Sequence, residues 1–305
     1  MSRISTDASV YTIDPFDSAA IRAGRPNTYD ALVTIVGLGG TGAFLAEDLA
    51  RLFSVHFGWR ILLNLVDHDR VEVHNEHRQA FTKRDRGLHK AQVVAERLAR
   101  QFPIDVAVSL APYDHCRDAP DPSRGDVRPW LALLIGCVDN PSARRELART
   151  LEPATYGSPS IWWMDLGNSA ASGQLYLGNS VRADRLRGAF DPQTRTCRAL
   201  PAPSLQAPEL LEAATASLPA PDRDCAEEQI AGDQEPFVNR TIAALGLATV
   251  ARLCQRRLTW RATFFDLDVG TLHYTHADPH DVASLMGMRT DSVLQRNRSQ
   301  LPART

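Results

Sequence analysis

The chain has 305 residues, of which 44% are hydrophobic and 23% charged, and its formal net charge at pH 7 is -2. This composition suits one large domain or two small ones, excludes wholesale disorder, and provides no basic field for a nucleic-acid partner. Residues 1–15 lack the apolar stretch of a secretory signal, and no apolar run has the roughly 18 residues of a membrane span. We therefore expect a cytoplasmic protein that binds neither nucleic acid nor membrane.

The first half of the chain alternates between apolar strands and amphipathic helices, after a polar and irregular N-terminal arm at residues 1–29. Short β-branched apolar runs are typical of parallel strands that are buried on both faces, and apolar residues at a spacing of three and four predict helices. The predicted strands are 31–36, 61–66, 106–110 and 131–138, and the predicted helices are 43–57 and 88–102. This alternation of strands and helices predicts a doubly wound, mostly parallel α/β sheet of the Rossmann-like kind.

Two further strands are predicted at residues 161–166 and 173–177, and the turn between them consists of small residues. Small side chains there would leave space along the sheet edge, and a tight hairpin with no ligand nearby is the alternative. Because successive side chains of a strand point to opposite faces, we expect only one of Trp162 and Trp163 to be buried.

The remainder of the chain is less regular. Residues 181–235 are rich in Pro, Ala, Asp and Arg and are predicted to be a long, partly mobile crossover segment. Residues 236–280 are predicted to complete the domain with a helix at 237–253 and a strand at 263–267. Residues 281–305 are expected to form a polar tail.

A glycine-rich loop, GLGGTG, lies between the first strand and its helix. Glycines at this place allow a tight turn and let a phosphate approach the backbone amides at the helix N-terminus. An acidic residue that ends the second strand, here Asp67, is the expected ligand of ribose hydroxyls. The loop therefore predicts a nucleotide site, and its glycines are Gly37, Gly39, Gly40 and Gly42.

Charged and amide side chains crowd the segment after the second strand, at the sheet edge where such folds bind ligands. Cations placed there suit an enzyme that neutralises a triphosphate and have little use in a dehydrogenase. The candidates are Asn75, Arg78, Gln79 and Lys90. A surface salt bridge for Arg78 and a solvated position for Lys90 are the alternatives.

The fourth strand ends in a second polar segment that contains Asp139 and Arg144. An aspartate at the carboxyl end of a parallel strand, beside a glycine loop, is well placed to bind Mg²⁺. Capping of the following helix is an alternative role for Asp139, and one carboxylate can serve both.

Four ordered motifs resemble the ThiF/MoeB and ubiquitin-activating superfamily: GxGGxG, then DxDxVxxxNxxRQ, then a lysine, then DNxxxR. The resemblance covers residues 31–178 and resumes at 225–253. It implies that residues 30–180 are an adenylation domain that activates the C-terminal carboxylate of a small ubiquitin-like (β-grasp) or sulfur-carrier protein with ATP. The segment around Asp224 and Phe237 further resembles the ThiF-related protein of PRTRC cassettes, which also encode a small ubiquitin-like protein and a metalloprotease homologue.

The resemblance also implies a role for each matching residue. Asp67 would bind the ribose, whereas Asn75, Arg78 and Lys90 would contact the triphosphate. Gln79 would shape the pocket. Asp139 would coordinate Mg²⁺, and Arg144 would support the loop around Asp139.

Two features of the superfamily are missing. The five cysteines form no Cys-x-x-Cys pair, so we expect free thiols and no structural zinc. The arm lacks the Arg-Tyr-x-Arg-Gln-like stretch that contributes an arginine across a dimer. A homodimer is therefore implied only by the resemblance in fold and not by a matching motif.

Many members of the superfamily transfer the activated acyl group to a cysteine in the crossover segment, and Cys225 is the best match to that position. Its neighbour Arg223 would favour the thiolate, but the surrounding acidic residues would raise the thiol pKa. Cys197, between Arg195 and Arg198, has the more electropositive setting and the poorer motif match. Cys137 and Cys254 lie in apolar patterns that predict core positions.

Two other functions remain open on the sequence. One is an NAD(P)-dependent oxidoreductase built on the same glycine loop, which leaves Arg78, Gln79 and Lys90 without a purpose. The other is an inert ATP-binding scaffold, which would account for the two missing features.

Overall fold

The structure is a computed structural model and describes residues 10–16, 29–120, 129–152, 161–212 and 237–295. Cys225 and most of the predicted arm lie outside these residues. The strands are β1 (Thr12–Ile13), β2 (Ala31–Val36), β3 (Ile61–Val66), β4 (Asp105–Ser109), β5 (Leu131–Gly136), β6 (Ile161–Asn168), β7 (Ser172–Gly178), β8 (Phe190–Asp191), β9 (Thr196–Cys197), β10 (Trp260–Asp266) and β11 (Thr271–His276).

The α-helices are α1 (Gly40–Arg51), α2 (Lys90–Gln101), α3 (His115–Asp118), α4 (Pro141–Arg149), α5 (Pro203–Gln206), α6 (Val238–Cys254), α7 (Pro279–Leu285) and α8 (Thr290–Val293). A π-helical turn, Leu52–His56, extends α1. Short 3-10 turns lie at Val73–His77, Lys83–Asp85, Ala183–Leu186 and Pro208–Leu211. Among the described residues, no helix is both long and apolar enough to cross a membrane.

An eight-stranded sheet with the order β11-β10-β7-β6-β5-β2-β3-β4 forms the centre of the molecule. The five strands from β4 to β6 pair in parallel, and β7, β10 and β11 extend the sheet in antiparallel fashion. This architecture confirms the predicted mostly parallel α/β fold. The strand order reverses between β2 and β5, and a crevice opens outside the carboxyl ends of the strands at such a switch point.

Apolar side chains cover both faces of the sheet, which explains why its central strands are predominantly apolar. Trp162 packs in the larger cluster with α1 and α6, whereas Trp163 packs on the opposite face with Leu147 of α4. Both indole rings are fully buried. The expectation that only one of them is buried was therefore wrong, because β6 is an inner strand with helices on both faces.

A second, small sheet joins part of the arm, which was predicted to be irregular, to part of the predicted crossover segment. Its order is β1-β9-β8, and Thr12 and Ile13 of the arm pair in parallel with Thr196 and Cys197. Ile13, Phe190 and Cys197 are completely buried. The strands that contain them have only two residues each, too few to show a strand period in the sequence.

The predicted polar tail at 281–305 is wrong over its described part. Helices α7 and α8 fold back onto the domain and bury Val282 and Val293. The backbone N–H of Gln295 donates to the carbonyl of Phe190 at 2.8 Å, which ties this segment to the small sheet. These helices are too short to show a helical period in the sequence.

Candidate nucleotide site

A cavity of about 1160 Å³ lies at the carboxyl ends of β2, β3, β5 and β6. It is larger than the typical small-molecule site of roughly 300–1,000 Å³, so it has room for more than a nucleotide. Residues predicted from the sequence line it together: Gly37, Gly39, Gly40, Asp67, Asn75, Arg78, Gln79, Lys90, Asp139 and Arg144. Gly42 lies beneath the loop, and Cys225 is outside the described residues.

The glycine loop folds so tightly that side chains are excluded at two positions. A Cβ atom on Gly42 would lie 1.9 Å from the carbonyl oxygen of Gly37. Gly37 has φ +87°, and a Cβ there would lie 2.5 Å from the carbonyl oxygen of Cys137. Helix α1 begins directly after Gly39 without a side-chain cap or an acidic residue in its first turn. Gly39, Gly40 and Thr41 line the cavity, so the uncapped N–H groups of the first turn are available there to bind phosphate oxygens.

Asp67 connects the end of β3 to the glycine loop. Its carboxylate accepts hydrogen bonds from the N–H of Leu38 at 2.6 Å and from the N–H of Asp69 at 2.8 Å. Burial raises the pKa of Asp67, although these N–H groups and Lys90 oppose the rise. The carboxylate is thus held against the cavity wall, where its remaining lone pairs can accept ribose hydroxyls.

The 3-10 turn Val73–His77 positions three of the predicted residues. Asn75 is buried, and its side-chain oxygen accepts from the N–H of Glu72 at 2.8 Å. Its backbone carbonyl accepts from the N–H groups of Arg78 and Gln79. The side-chain oxygen of Gln79 is buried without a partner among the described residues, although the residue lines the cavity. Such an oxygen marks a place where a ligand donor is expected.

Lys90 is not the solvated helix residue of the alternative prediction. Only 7% of it is exposed, and its ammonium group lies 3.0 Å from the carboxylate of Asp69. Asp69 itself is about half exposed. The cation is therefore held at the cavity wall by a partner that a triphosphate can replace.

Asp139 follows β5 and is exposed on the cavity. The cap of α4 is Asn140, whose side-chain oxygen accepts from the N–H of Ala143 at 2.8 Å. The alternative in which Asp139 caps this helix is therefore wrong. Mg²⁺ is usually bound by one or two carboxylates together with phosphate oxygens, and one exposed carboxylate beside the glycine loop fits that requirement.

Arg144 was expected to support the loop around Asp139, but its hydrogen-bond partner in the structure is Asp165. Its Nε donates to both oxygens of Asp165 at 3.1 and 3.3 Å, and both side chains are buried. Burial raises the pKa of Asp165 to about 6, although Arg144 opposes the rise. The sequence analysis overlooked Asp165, yet a lone acidic residue inside the apolar strand β6 was the available signal.

Asn239, near the start of α6, is a second residue that the sequence analysis did not place in the site. Its side chain accepts from the hydroxyl of Thr41 at 3.3 Å and donates to the carbonyl of Arg78 at 3.4 Å. A Cβ on Gly40 would lie 2.4 Å from its amide nitrogen. Asn239 therefore joins the helix that follows the crossover segment to both phosphate-binding segments.

The described cysteines fall into two groups. Cys137, Cys197 and Cys254 have buried thiols, and burial raises the pKa of each. This excludes Cys197 as a ready nucleophile despite its flanking arginines, because a high pKa suppresses the thiolate. Cys116 is exposed, and its sulfur lies 3.3 Å from Nε2 of His115.

The sequence profile of the ThiF family matches residues 20–183, just over half of the chain. The chain is 35% identical over 127 residues to the tRNA threonylcarbamoyladenosine dehydratase of Escherichia coli K12, covering 36% of this chain and 43% of that protein. It is 33% identical over 155 residues to the ubiquitin-like modifier-activating enzyme 5 of Gallus gallus, covering 48% and 36%. The chain spans less than half the length of these curated relatives.

Among solved structures, the fold is similar to that of E. coli MccB in a crystal with ATP, with a TM-score of 0.51 and 17% identity over 85% of this chain and 67% of that chain. A crystal of MccB with AMPCPP and MccA gives a TM-score of 0.51 and 16% identity with the same coverage. PaaA gives 0.51 and 14% over 81% and 64%. At such identities the likeness shows the fold alone.

Proposed function

This chain belongs to the ThiF family, and we propose that it uses ATP to adenylate a carboxylate. The observation that carries the proposal is the order in which the binding groups lie along one edge of the sheet. Asp67 follows β3, the uncapped helix N-terminus follows β2, and Asp139 follows β5, which is the neighbour of β2 on the other side. Groups suited to ribose, phosphates and Mg²⁺ thus lie side by side.

In the proposed reaction, a carboxylate oxygen of the substrate attacks the α-phosphorus of ATP. The bond from that phosphorus to the oxygen bridging to the β-phosphate breaks, so pyrophosphate leaves and an acyl-adenylate remains. Arg78, Lys90 and the N–H groups of α1 would neutralise the charge of the triphosphate, while Asp67 and Asn75 would orient it. Mg²⁺ held by Asp139 would supply further neutralisation.

The carboxylate would belong to the tail of a small ubiquitin-like or sulfur-carrier protein. Two of the similar proteins support a protein or peptide substrate: the ubiquitin-like modifier-activating enzyme among the relatives and MccB in a crystal with MccA among the structures. The PRTRC assignment, which rests on the sequence motifs alone, would make the partner the small ubiquitin-like protein of such a cassette.

A later transfer to Cys225 is a separate step of the proposal. Attack of the thiolate on the acyl-adenylate would form a thioester and release AMP. The Cys225→Ala variant should lose any reductant-sensitive conjugate with the partner and keep ATP–pyrophosphate exchange. A reductant-sensitive conjugate that persists in this variant would remove Cys225 from the mechanism.

The two alternatives make different demands on the site. An NAD(P)-dependent oxidoreductase gives no purpose to the buried Lys90 or to Asp139 beside the glycine loop. An inert scaffold would bind ATP without turning it over.

A homodimer, implied by the family resemblance, is to be tested by sedimentation.

Exchange of labelled pyrophosphate into ATP tests the proposal. With Mg²⁺ and a β-grasp partner that has a free C-terminal carboxylate, we expect exchange that is absent when the terminal residue of the partner is removed. ATP binding without exchange would support the scaffold, and binding of NAD in place of ATP would support the oxidoreductase.

A further inference from the structure

The cavity continues past the nucleotide groups toward β6 and β7. Its lining there includes Gly167 and Asn168 at the end of β6 and Gln174 on β7. Neighbouring strands are about 4.8 Å apart, so the end of β6 lies roughly 14 Å from that of β3. If Asp67 marks the ribose and Asp139 the phosphates, the end at β6 is where a second substrate can approach.

Arg144 is the cation at this end. Asp165 binds only its Nε, and within the described part of the chain neither terminal nitrogen of the guanidinium has a hydrogen-bond partner. The residue lines the cavity although it is only 8% exposed. The ion pair therefore fixes the plane of the guanidinium while two N–H-bearing nitrogens stay available to a ligand.

Two glycines make this arrangement possible. A Cβ on Gly136 would lie 2.9 Å from a carboxylate oxygen of Asp165, so glycine there leaves room for the buried acid. A Cβ on Gly167 would lie 3.3 Å from Nη2 of Arg144 and 2.9 Å from the amide nitrogen of Gln174. Glycine at position 167 therefore keeps the guanidinium uncovered and places a second donor beside it.

We propose that Arg144, positioned by Asp165 and uncovered by Gly167, binds the carboxylate of the acyl substrate at the β6 end of the cavity. A planar guanidinium with two open donors matches a carboxylate, and the amide of Gln174 provides a further donor. Asp165 is a positioning residue that acts through Arg144. The inference rests on the proposed function, since it names the group that receives the substrate of that reaction.

Peptide binding tests the assignment directly. The probes are an N-acetylated peptide ending in Gly-Gly with a free carboxylate and the same peptide with a C-terminal amide, titrated into the full chain with Mg²⁺ and a non-hydrolysable ATP analogue. We expect the wild type to bind the acid about 10- to 100-fold more tightly than the amide. The Arg144→Gln variant should lose this preference, and Asp165→Asn should reduce it.

Two further variants separate recognition from loss of folding. Gly167→Ala keeps the ion pair and covers the guanidinium, so it should reduce the preference for the acid while the protein melts as the wild type does. Arg145→Gln is the matched control, because the Nε of Arg145 donates to the carbonyl of Leu211 and the residue does not line the cavity. It should behave as the wild type.

The proposal is overturned if the wild type binds acid and amide equally or binds neither. It is also overturned if Arg144→Gln and Gly167→Ala keep the preference, or if Arg144→Gln weakens the ATP analogue instead, which would assign Arg144 to the phosphates. Preference for the acid without pyrophosphate exchange would contradict the proposed function and leave the carboxylate site in place.

Discussion

The two ends of the cavity are built for anions in different ways. At the nucleotide end, backbone N–H groups face the cavity at the start of α1, and the acidic side chain Asp67 is already held by backbone N–H groups. At the β6 end, the donors are side chains: Arg144, oriented by the buried acid Asp165, and the amide of Gln174. A site built from backbone needs glycines in a fixed order and is therefore visible as a motif. At the β6 end, Arg144 lies in the DNxxxR motif, but its pairing with Asp165 of β6 leaves no pattern in the sequence.

The largest effect is expected from breaking the backbone site. In the Gly42→Ala variant the new methyl group would lie 1.9 Å from the carbonyl oxygen of Gly37, so the loop must open. We expect ATP affinity, measured by calorimetry, to fall by at least about 100-fold, as expected when several phosphate contacts are lost together. Gly39→Ala is the comparison, since its Cβ would be 3.8 Å from the nearest atom. An equal loss in both variants would contradict the steric argument.

The Asp139→Asn variant probes the boundary between the two ends. Loss of the carboxylate should lower pyrophosphate exchange by about 10²–10³-fold, which is the usual size of one lost electrostatic contribution to the transition state. ATP binding without Mg²⁺ should change little. Asn140→Asp is the control, because aspartate also caps helices well and preserves the start of α4. Full exchange activity in Asp139→Asn would exclude the metal-binding role.

The pH dependence of stability probes the β6 end. Burial raises the pKa of Asp165 from its ordinary value of 3.8 to about 6 in the folded protein. Between about pH 4 and pH 6 the folded chain thus retains a proton that the unfolded chain has released, so raising the pH through this range lowers the free energy of unfolding.

Denaturant unfolding of the wild type and the Asp165→Asn variant, measured across this range, checks the prediction. The wild type should lose stability relative to the variant as the pH rises from about 4 to about 6. Within the described segments, the ionisable groups that interact with Asp165 besides Arg144 are Cys137 and Tyr176, and neither titrates in this range. A stability difference that does not depend on pH would show that Asp165 is ionised throughout.

The smallest effect concerns the thiols. Alkylation of the folded protein should modify the exposed Cys116 well before Cys137, Cys197 and Cys254, because desolvation raises the pKa of the last three thiols and Cys197 is also fully buried. Mass spectrometry of the Cys225→Ser variant isolates the described thiols. Early modification of Cys197 would show that the small sheet of β1, β9 and β8 opens, and would restore that residue as a candidate nucleophile.

Much of the fold followed from local pattern. Strands β2 and β3 begin and end where their apolar runs do, and α2 and α6 lie within one or two residues of the predicted bounds. The errors lie where burial depends on distant residues. Ile13 and Cys197 are buried because two short strands pair across some 180 residues of chain, and Val293 because α8 folds back over that sheet. Local periodicity carries no information about such contacts.

The sequence by itself determined the nucleotide end of the cavity. A phosphate site made from backbone N–H groups requires glycine at positions 37 and 42 and an acidic residue after the next strand, and these residues lie within a short stretch of chain. Only the tertiary structure decided what lies beside it. Strand order brings Asp139 next to the glycine loop, the packing of α4 against the sheet pairs Arg144 with Asp165 of β6, and the return of the chain through α6 sets Asn239 against Gly40. These side chains are far apart in sequence and become neighbours only when the sheet is assembled.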